Sequence, residues 1–568
     1  MRISAILLLI SLLFACSGGK QPVTAAFNPY QYSIKKKVVS NNAVVVSAHP
    51  LASAIGVQVM QQGGNAVDAA IATQLALAVV YPGAGNIGGG GFSVMRLANG
   101  KTISIDYREK APGAASRDMY LDKDGHAQAA LSQDGHLAAG VPGTVAGLFA
   151  CHKYAQLPFK QLIQPAIDLA EKGFAITAGE AEDLNATKTE FIQFNTQTPA
   201  FVKSTGWREG DTLIQTDLAN TLKRIRDLGQ KGFYEGETAR LIVEEMNRGK
   251  GIISYDDLKK YEAKEREPVV FPYKGYTIIT MPLPSSGGVL LPQMMNMIAD
   301  KPLKEYGFQT AQSVQLMTEV ERRAYADRAR FLGDVDFYKV PVKKLTSKDY
   351  ALGRMKDYDP NKAGSSTAIR EGIIPESEET THFSVYDKEG NAVSVTTTLN
   401  GGYGSRTVVG GAGFLLNNEM DDFSVKPGVP NMYGAVGGDA NAIAPGKRML
   451  SSMTPTIVLK DNKPFLIVGT PGGTTIITSV FQTLVNILEF SMSTEDAVYK
   501  PKFHHQWLPD TLNVERDFPQ AVVDQLQQMG YQVRKRGAIG RTEVIRILPN
   551  GKIEGVADRR GEDAAEGF

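Results

Sequence analysis

The chain has 568 residues, too many for one small core, with 43% hydrophobic and 21% charged residues, the balance of a folded rather than a disordered protein. Lysine and arginine number 61 against 60 aspartate and glutamate, so no basic excess points to nucleic acid and no acidic or basic block forms an interaction tail.

At the N-terminus, Met1-Arg2 precede an apolar run from Ile6 to Phe14 that is too short to span a bilayer as a helix. Leu13-Phe14-Ala15-Cys16-Ser17 reads as a bacterial lipobox: residues 1–15 form a signal peptide, and Cys16 carries lipid after cleavage. The competing reading is an ordinary signal peptide with an incidental cysteine. Residues 16–42 are polar and read as a spacer from membrane to domain. The expected location is the periplasm or cell envelope, with the body tethered by lipid. Cys151 is then the only other cysteine, which excludes a disulfide framework and a cysteine zinc site; its apolar neighbours predict a core residue.

From Val44 the pattern alternates. Val44-Val45-Val46 predicts a strand and Leu51 to Gln62 a helix, and Asn65 predicts the cap of a second helix reaching Val80. Gly88-Gly89-Gly90-Gly91 before Gly100-Lys101-Thr102 invites a phosphate-loop reading, but the glycine that motif needs five residues upstream is Met95. Asn99-Gly100 reads instead as a hairpin turn. Residues 155–265 are mainly helical in pattern, Tyr276 to Ile279 reads as a strand, and 311–332 as a helix. Residues 361–379 are polar, contain Pro375 and lack apolar periodicity, the signature of an exposed loop. Two strand-like runs follow, Thr381–Tyr386 and Asn391–Leu399, joined by a turn at Asp387-Lys388-Glu389-Gly390. A helix is expected near 475–490. Strands in both halves with flanking helices predict stacked sheets covered by helices. His504-His505 lacks any further ligand pattern, so packing or hydrogen bonding is expected there and no metal.

Glu379-Thr380 marks the junction of loop and strand. A cut between them would give Thr380 a hydroxyl and a free α-amine on one residue. An α-amine titrates near 7.7–8.0, low enough to act as the general base for its own hydroxyl. Antiparallel pairing about the turn puts Thr380 opposite residues 397–399, so Thr398 falls beside it; a one-residue slip would reverse its face.

These features, with GGNAVDAA, GNIGGGGF, DYREKAP, PGTVAG, PSSGG, TTHFSV, TLNGGYGS, NNEMDDFS, PGVPNMYG, LSSMTPT and PGG in order from about Val44 to the C-terminus, resemble the bacterial γ-glutamyltranspeptidases. The resemblance implies an α+β, four-layer αββα N-terminal-nucleophile (Ntn) hydrolase fold. One intertwined domain would form from two self-cleaved subunits, 43–379 and 380–568. It implies Thr380 as nucleophile, Thr398 as its hydroxyl partner, and Gly472 and Gly473 as main-chain donors to an oxyanion. Arg108, Ser451 and Ser452 would take the donor's α-carboxylate; Asn400, Glu419 and Asp422 would take its α-ammonium. Residues 427–438 would form a lid with Tyr433 at its tip, which favours glutathione-like donors over long polymers. The expected partners are small molecules: glutathione or other γ-glutamyl amides, with water, amino acids or dipeptides as acceptors. No metal or cofactor is implied. Taken singly, Arg108 between Asp106 and Glu109 is equally a surface ion pair, Ser451-Ser452 a turn, and Glu419 a solvated acid. Taken together, opposite charges suited to the two ends of an amino acid favour a binding site. Two alternatives stay open: a cephalosporin (glutaryl) acylase on the same scaffold, and an unprocessed surface binding protein.

Overall fold

Two seven-stranded sheets stack face to face in the computed structural model, which describes residues 27–366 and 380–568. The leader through residue 15, Cys16, Glu379 and most of the polar loop lie outside the described residues. One sheet runs Lys37–Ser40, Ile553–Val556, Glu543–Ile547, Lys463–Gly469, Thr456–Lys460, Tyr276–Thr280, Val269–Tyr273. The other runs Ala564–Gly567, Ala43–Ser47, Thr380–Asp387, Ala392–Thr398, Gly90–Arg96, Thr102–Asp106, Lys264–Arg266. Each sheet draws strands from both sides of residue 380, so the two segments form one intertwined unit, and every pairing within these two sheets is antiparallel.

The period-2 alternation of the strands builds the layers. Val44 and Val46 point between the sheets, where they meet Phe92, Ile279, Ile457, Ile467 and Ile545. Ala43 and Val45 point outward, onto the helices Pro50–Gln61 and Ala66–Val80. The second sheet turns Ile278, Val458, Leu466 and Val544 toward the helices Gly287–Ile298, Ala311–Phe331 and Thr475–Leu488. The result is four layers, α-β-β-α.

Asn65 caps its helix as the sequence predicts: its side chain accepts from the N–H groups of Val67 and Asp68, and Asp68 accepts in return from the Asn65 N–H. All fifteen residues of that helix are buried, which its alanine-rich, small-residue sequence permits. The spacer expected through residue 42 is shorter than that. Lys37–Ser40 pairs antiparallel with Ile553–Val556 as an edge strand, because its main chain completes a ladder otherwise left open. Cys151 is free and buried, as its apolar context predicts.

Candidate active site

The hairpin Thr380–Asp387/Ala392–Thr398 sets the site. Asp387 closes its turn by accepting from the Asn391 N–H and side chain, and the register then runs Tyr386↔Ala392, Ser384↔Ser394, His382↔Thr396 and Thr380↔Thr398. Even-numbered residues of this hairpin face the other sheet. His382 accordingly sits between Thr396 Oγ1 (2.9 Å) and Ser384 Oγ (3.1 Å), with its ring against Gly469 of the facing sheet, where a Cβ would lie 2.2 Å from Cε1. Thr380 is the last rung, with its hydroxyl 3.5 Å from that of Thr398. Thr398 Oγ1 accepts from the Asn400 N–H at 2.7 Å, and its hydroxyl also hydrogen-bonds the Glu419 carboxyl.

A cavity of about 320 Å³ opens over Thr380, lined by Thr398, Asn400, Tyr433, Ser451, Ser452 and Gly473 and by the charged groups Arg108, Arg328, Glu419 and Asp422. Two larger clefts, about 670 and 790 Å³, lie around Gly410 and around Tyr81 and do not include Thr380. The structure thus brings together ten of the eleven residues that the resemblance assigns to catalysis and donor binding. The exception is Gly472, which stands one residue behind the wall. Gly472 (φ +131°) and Gly473 (φ +52°) make the turn from Lys463–Gly469 into the helix Thr475–Leu488. Among the described residues neither gives its N–H to a protein acceptor, so both amides remain as donors at a helix N-terminus.

Arg108 is no surface ion pair: its side chain is 1% exposed. Its guanidinium contacts Glu419 and Asp422, each at 2.5 Å, and Glu109 at 3.6 Å. The groups expected at opposite ends of a donor therefore satisfy one another here. Burial works against the Arg108 charge, but Glu419, Asp422 and Glu109 outweigh it and hold the guanidinium above its ordinary value. Burial also lifts the three carboxyls, against the pull of Arg108: Glu419 well above the usual range, Asp422 above it, and Glu109 up to about 8.

The segment expected as a lid folds over this cluster. Asn431 accepts from the Gly434 and Ala435 N–H groups and donates its side-chain N–H to Asp422 (3.0 Å). Tyr433 donates its hydroxyl to the Asn400 carbonyl, while Gln506 donates to the Tyr433 carbonyl (3.1 Å).

Sequence reasoning missed Arg328 and Asn431. Arg328 had a signal: Met317, Glu321, Ala324 and Arg328 recur at helical spacing on the buried face of Ala311–Phe331, and an arginine on such a face requires a partner or a ligand. His504 and His505 are hydrogen-bonded as expected, to Thr478, Gln506 and Asp510.

The profile of the gamma-glutamyltranspeptidase family matches residues 52–568. The chain belongs to the γ-glutamyltranspeptidase family. A glutathione hydrolase proenzyme of Escherichia coli strain K12 is 45% identical over 94% of each chain. Among solved structures, Helicobacter pylori γ-glutamyltranspeptidase aligns at 47% identity and TM-score 0.56, covering 57% of this chain and 94% of that one. A cephalosporin acylase from Bacillus halodurans superposes with TM-score 0.82 at 25% identity, covering 96% and 99%. The fold is therefore that of the Ntn hydrolases.

Proposed function

We propose that the chain is a γ-glutamyltransferase and glutathione hydrolase that first cleaves itself between Glu379 and Thr380. The observation that carries this reading is the meeting of the Thr380–Thr398 hydroxyl pair with a buried set of arginines and carboxyls in one cavity. In maturation the Thr380 hydroxyl adds to the Glu379 carbonyl, the peptide nitrogen leaves as the new α-amine, and water hydrolyses the resulting ester. In turnover that amine takes the hydroxyl proton as Oγ1 attacks the γ-glutamyl carbonyl. Gly472 and Gly473 N–H groups stabilise the tetrahedral oxyanion, a contribution of about 3–4 kcal/mol per donor. The leaving amine, such as Cys-Gly, takes the proton back. Water, an amino acid or a dipeptide then accepts the γ-glutamyl group from the ester.

A glutaryl acylase is the second reading, supported by the superposition with a cephalosporin acylase. The carboxyls favour the transferase: a glutaryl donor has no ammonium for Glu419 and Asp422. Losing one partner of such a pair costs about 2–5 kcal/mol. At 1.36 kcal/mol per tenfold, kcat/KM for a γ-glutamyl anilide should exceed that for the glutaryl anilide by roughly thirty-fold to several thousand-fold. Asp422→Ala should remove most of this preference and still mature. Mass spectrometry should find a small subunit beginning Thr-Thr-His-Phe in wild type and one intact chain in Thr380→Ala. An intact, active wild type refutes the mechanism; equal rates on the two anilides replace the transferase by the acylase.

We further propose attachment to the cell envelope, in the periplasm, through lipid on Cys16. Labelled palmitate should enter wild type and not Cys16→Ser. No helix among the described residues is long and apolar enough to cross a membrane.

A further inference from the structure

Arg328 lines the cavity over Thr380 from the helix Ala311–Phe331, and it is 9% exposed. Unlike Arg108, it has no carboxylate oxygen within 4.0 Å among the described residues. Its hydrogen bonds go to hydroxyls: Nε donates to Ser286 Oγ (3.1 Å) and Nη2 to Ser452 Oγ (3.3 Å).

The direction of these bonds matters. Guanidinium groups only donate, and a serine hydroxyl has a single proton. Ser286 accepts from Arg328 and passes its proton to the Ser451 carbonyl at 2.6 Å. Ser452 accepts from Arg328, and its proton is left to point into the cavity. Ser451 Oγ likewise accepts, from the Met453 N–H at 3.1 Å, and its proton is left for the same space. One wall therefore presents two O–H donors backed by a cation, in a cavity that Glu419 and Asp422 also line and where the Asp422 charge is felt at Arg328. Arg108 is already balanced by Glu419, Asp422 and Glu109, so its attraction for an incoming anion is offset by theirs.

We infer that Arg328 is the specificity-determining positioning residue of the α-carboxylate subsite: it turns the Ser452 hydroxyl toward the donor and supplies the charge that Arg108, neutralised in place, does not. This rests on the γ-glutamyl reading of the cavity. It assigns the donor's α-carboxylate to Ser451, Ser452 and the field of Arg328, with Arg108 shared between that carboxylate and the acids that hold the ammonium. A charge-assisted hydrogen bond of this kind acts on donor binding and less on the acyl transfer itself.

The test is a double-substitution cycle on matured enzyme with a γ-glutamyl anilide, using Arg328→Gln, Ser452→Ala and the pair. Arg328→Gln should raise KM roughly ten- to hundred-fold with kcat within about threefold. On the Ser452→Ala background the same change should raise KM by clearly less, because the hydroxyl it orients is gone. Arg328→Lys, which keeps the charge and loses the planar fork, should fall between wild type and Arg328→Gln. If Arg328→Gln does not mature, Arg328→Lys decides: a raised KM at preserved kcat supports the assignment, and an unchanged KM refutes it. An unchanged KM in matured Arg328→Gln, or fully additive effects with Ser452→Ala, also refutes it. If wild type itself fails to turn over the γ-glutamyl anilide, the functional reading has failed instead.

Discussion

The hydroxyl of Tyr433 donates to the main-chain carbonyl of Asn400, and its ring lies against Gly473, where an added Cβ would come within 2.5 Å of Cδ1. One side chain thus ties the proposed lid segment to the end of the Thr380–Thr398 hairpin and to the proposed oxyanion turn. Tyr433→Phe loses the hydroxyl and keeps the ring, so KM for a γ-glutamyl anilide should rise only about two- to tenfold, the worth of one neutral hydrogen bond. Gly473→Ala combines a left-handed φ of +52° with that clash, and kcat should fall at least about tenfold. Steady-state kinetics check both. A Gly473→Ala enzyme with wild-type kcat would mean that this turn does not need its close approach to Tyr433.

Donor binding should release a proton. Burial raises the carboxyls of Glu109, Glu419 and Asp422 against the pull of Arg108, Glu109 up to about 8, so near pH 7 the three acids balance Arg108 without carrying three full negative charges, and a proton is held in the cluster. An α-ammonium entering beside Glu419 and Asp422 favours their ionised forms and lowers those pKa values; the proton leaves as the ligand arrives. Affinity should therefore increase as pH rises from 6 to 8, while the ammonium stays charged. L-Norvaline has both α-groups and an uncharged chain, so it isolates the effect. Its titration calorimetry should be more exothermic in Tris than in phosphate, because Tris releases more heat on taking up the proton. Equal enthalpies in the two buffers would contradict this account.

His382 should make the protein acid-sensitive. Burial pushes its imidazole down to about 3, and its two ring nitrogens are engaged by hydroxyls rather than by a carboxylate. The sign follows from the lowered value: the unfolded chain takes up a proton near 6.5 and the native state refuses it. The stabilisation from this group is thus complete above pH 6.5 and is lost as pH falls toward 3. At pH 4.5 the loss is about 2–3 kcal/mol. His382→Gln should be less stable than wild type at pH 7 yet lose less on acidification, the difference approaching that amount. Urea unfolding at pH 7 and 4.5 measures it; parallel losses in the two proteins would exclude His382 as a source of acid sensitivity.

Local chemistry made much of this protein legible in one dimension. Asn65 before a small-residue run specifies a capped helix, and Asp387 to Gly390 between two β-branched runs specifies a hairpin. The hairpin in turn puts Thr398 opposite Thr380, since the strand period and a short turn leave little choice of register. The order of the strands in two sheets, the membership of Lys37–Ser40 and the use of Arg328 were decided only in three dimensions. Lys37–Ser40 is a strand because Ile553–Val556, more than 500 residues later, needs a partner. Arg108, Glu419 and Asp422 were each recognisable as charged candidates, but their mutual neutralisation depends on a distance of 2.5 Å that spans more than 300 positions of chain. In sequence the helical spacing of Arg328 with Met317, Glu321 and Ala324 marks a buried face but does not say which groups meet the guanidinium. Its role emerges from the partners folding denied it: a buried guanidinium with hydroxyls for neighbours and no carboxylate in contact among the described residues. Spacing along the chain specifies turns, caps and register because those interactions close within a few residues. Charge balance in a cavity is set by whichever distant groups the sheets and helices bring together, and that sum exists only in the folded protein.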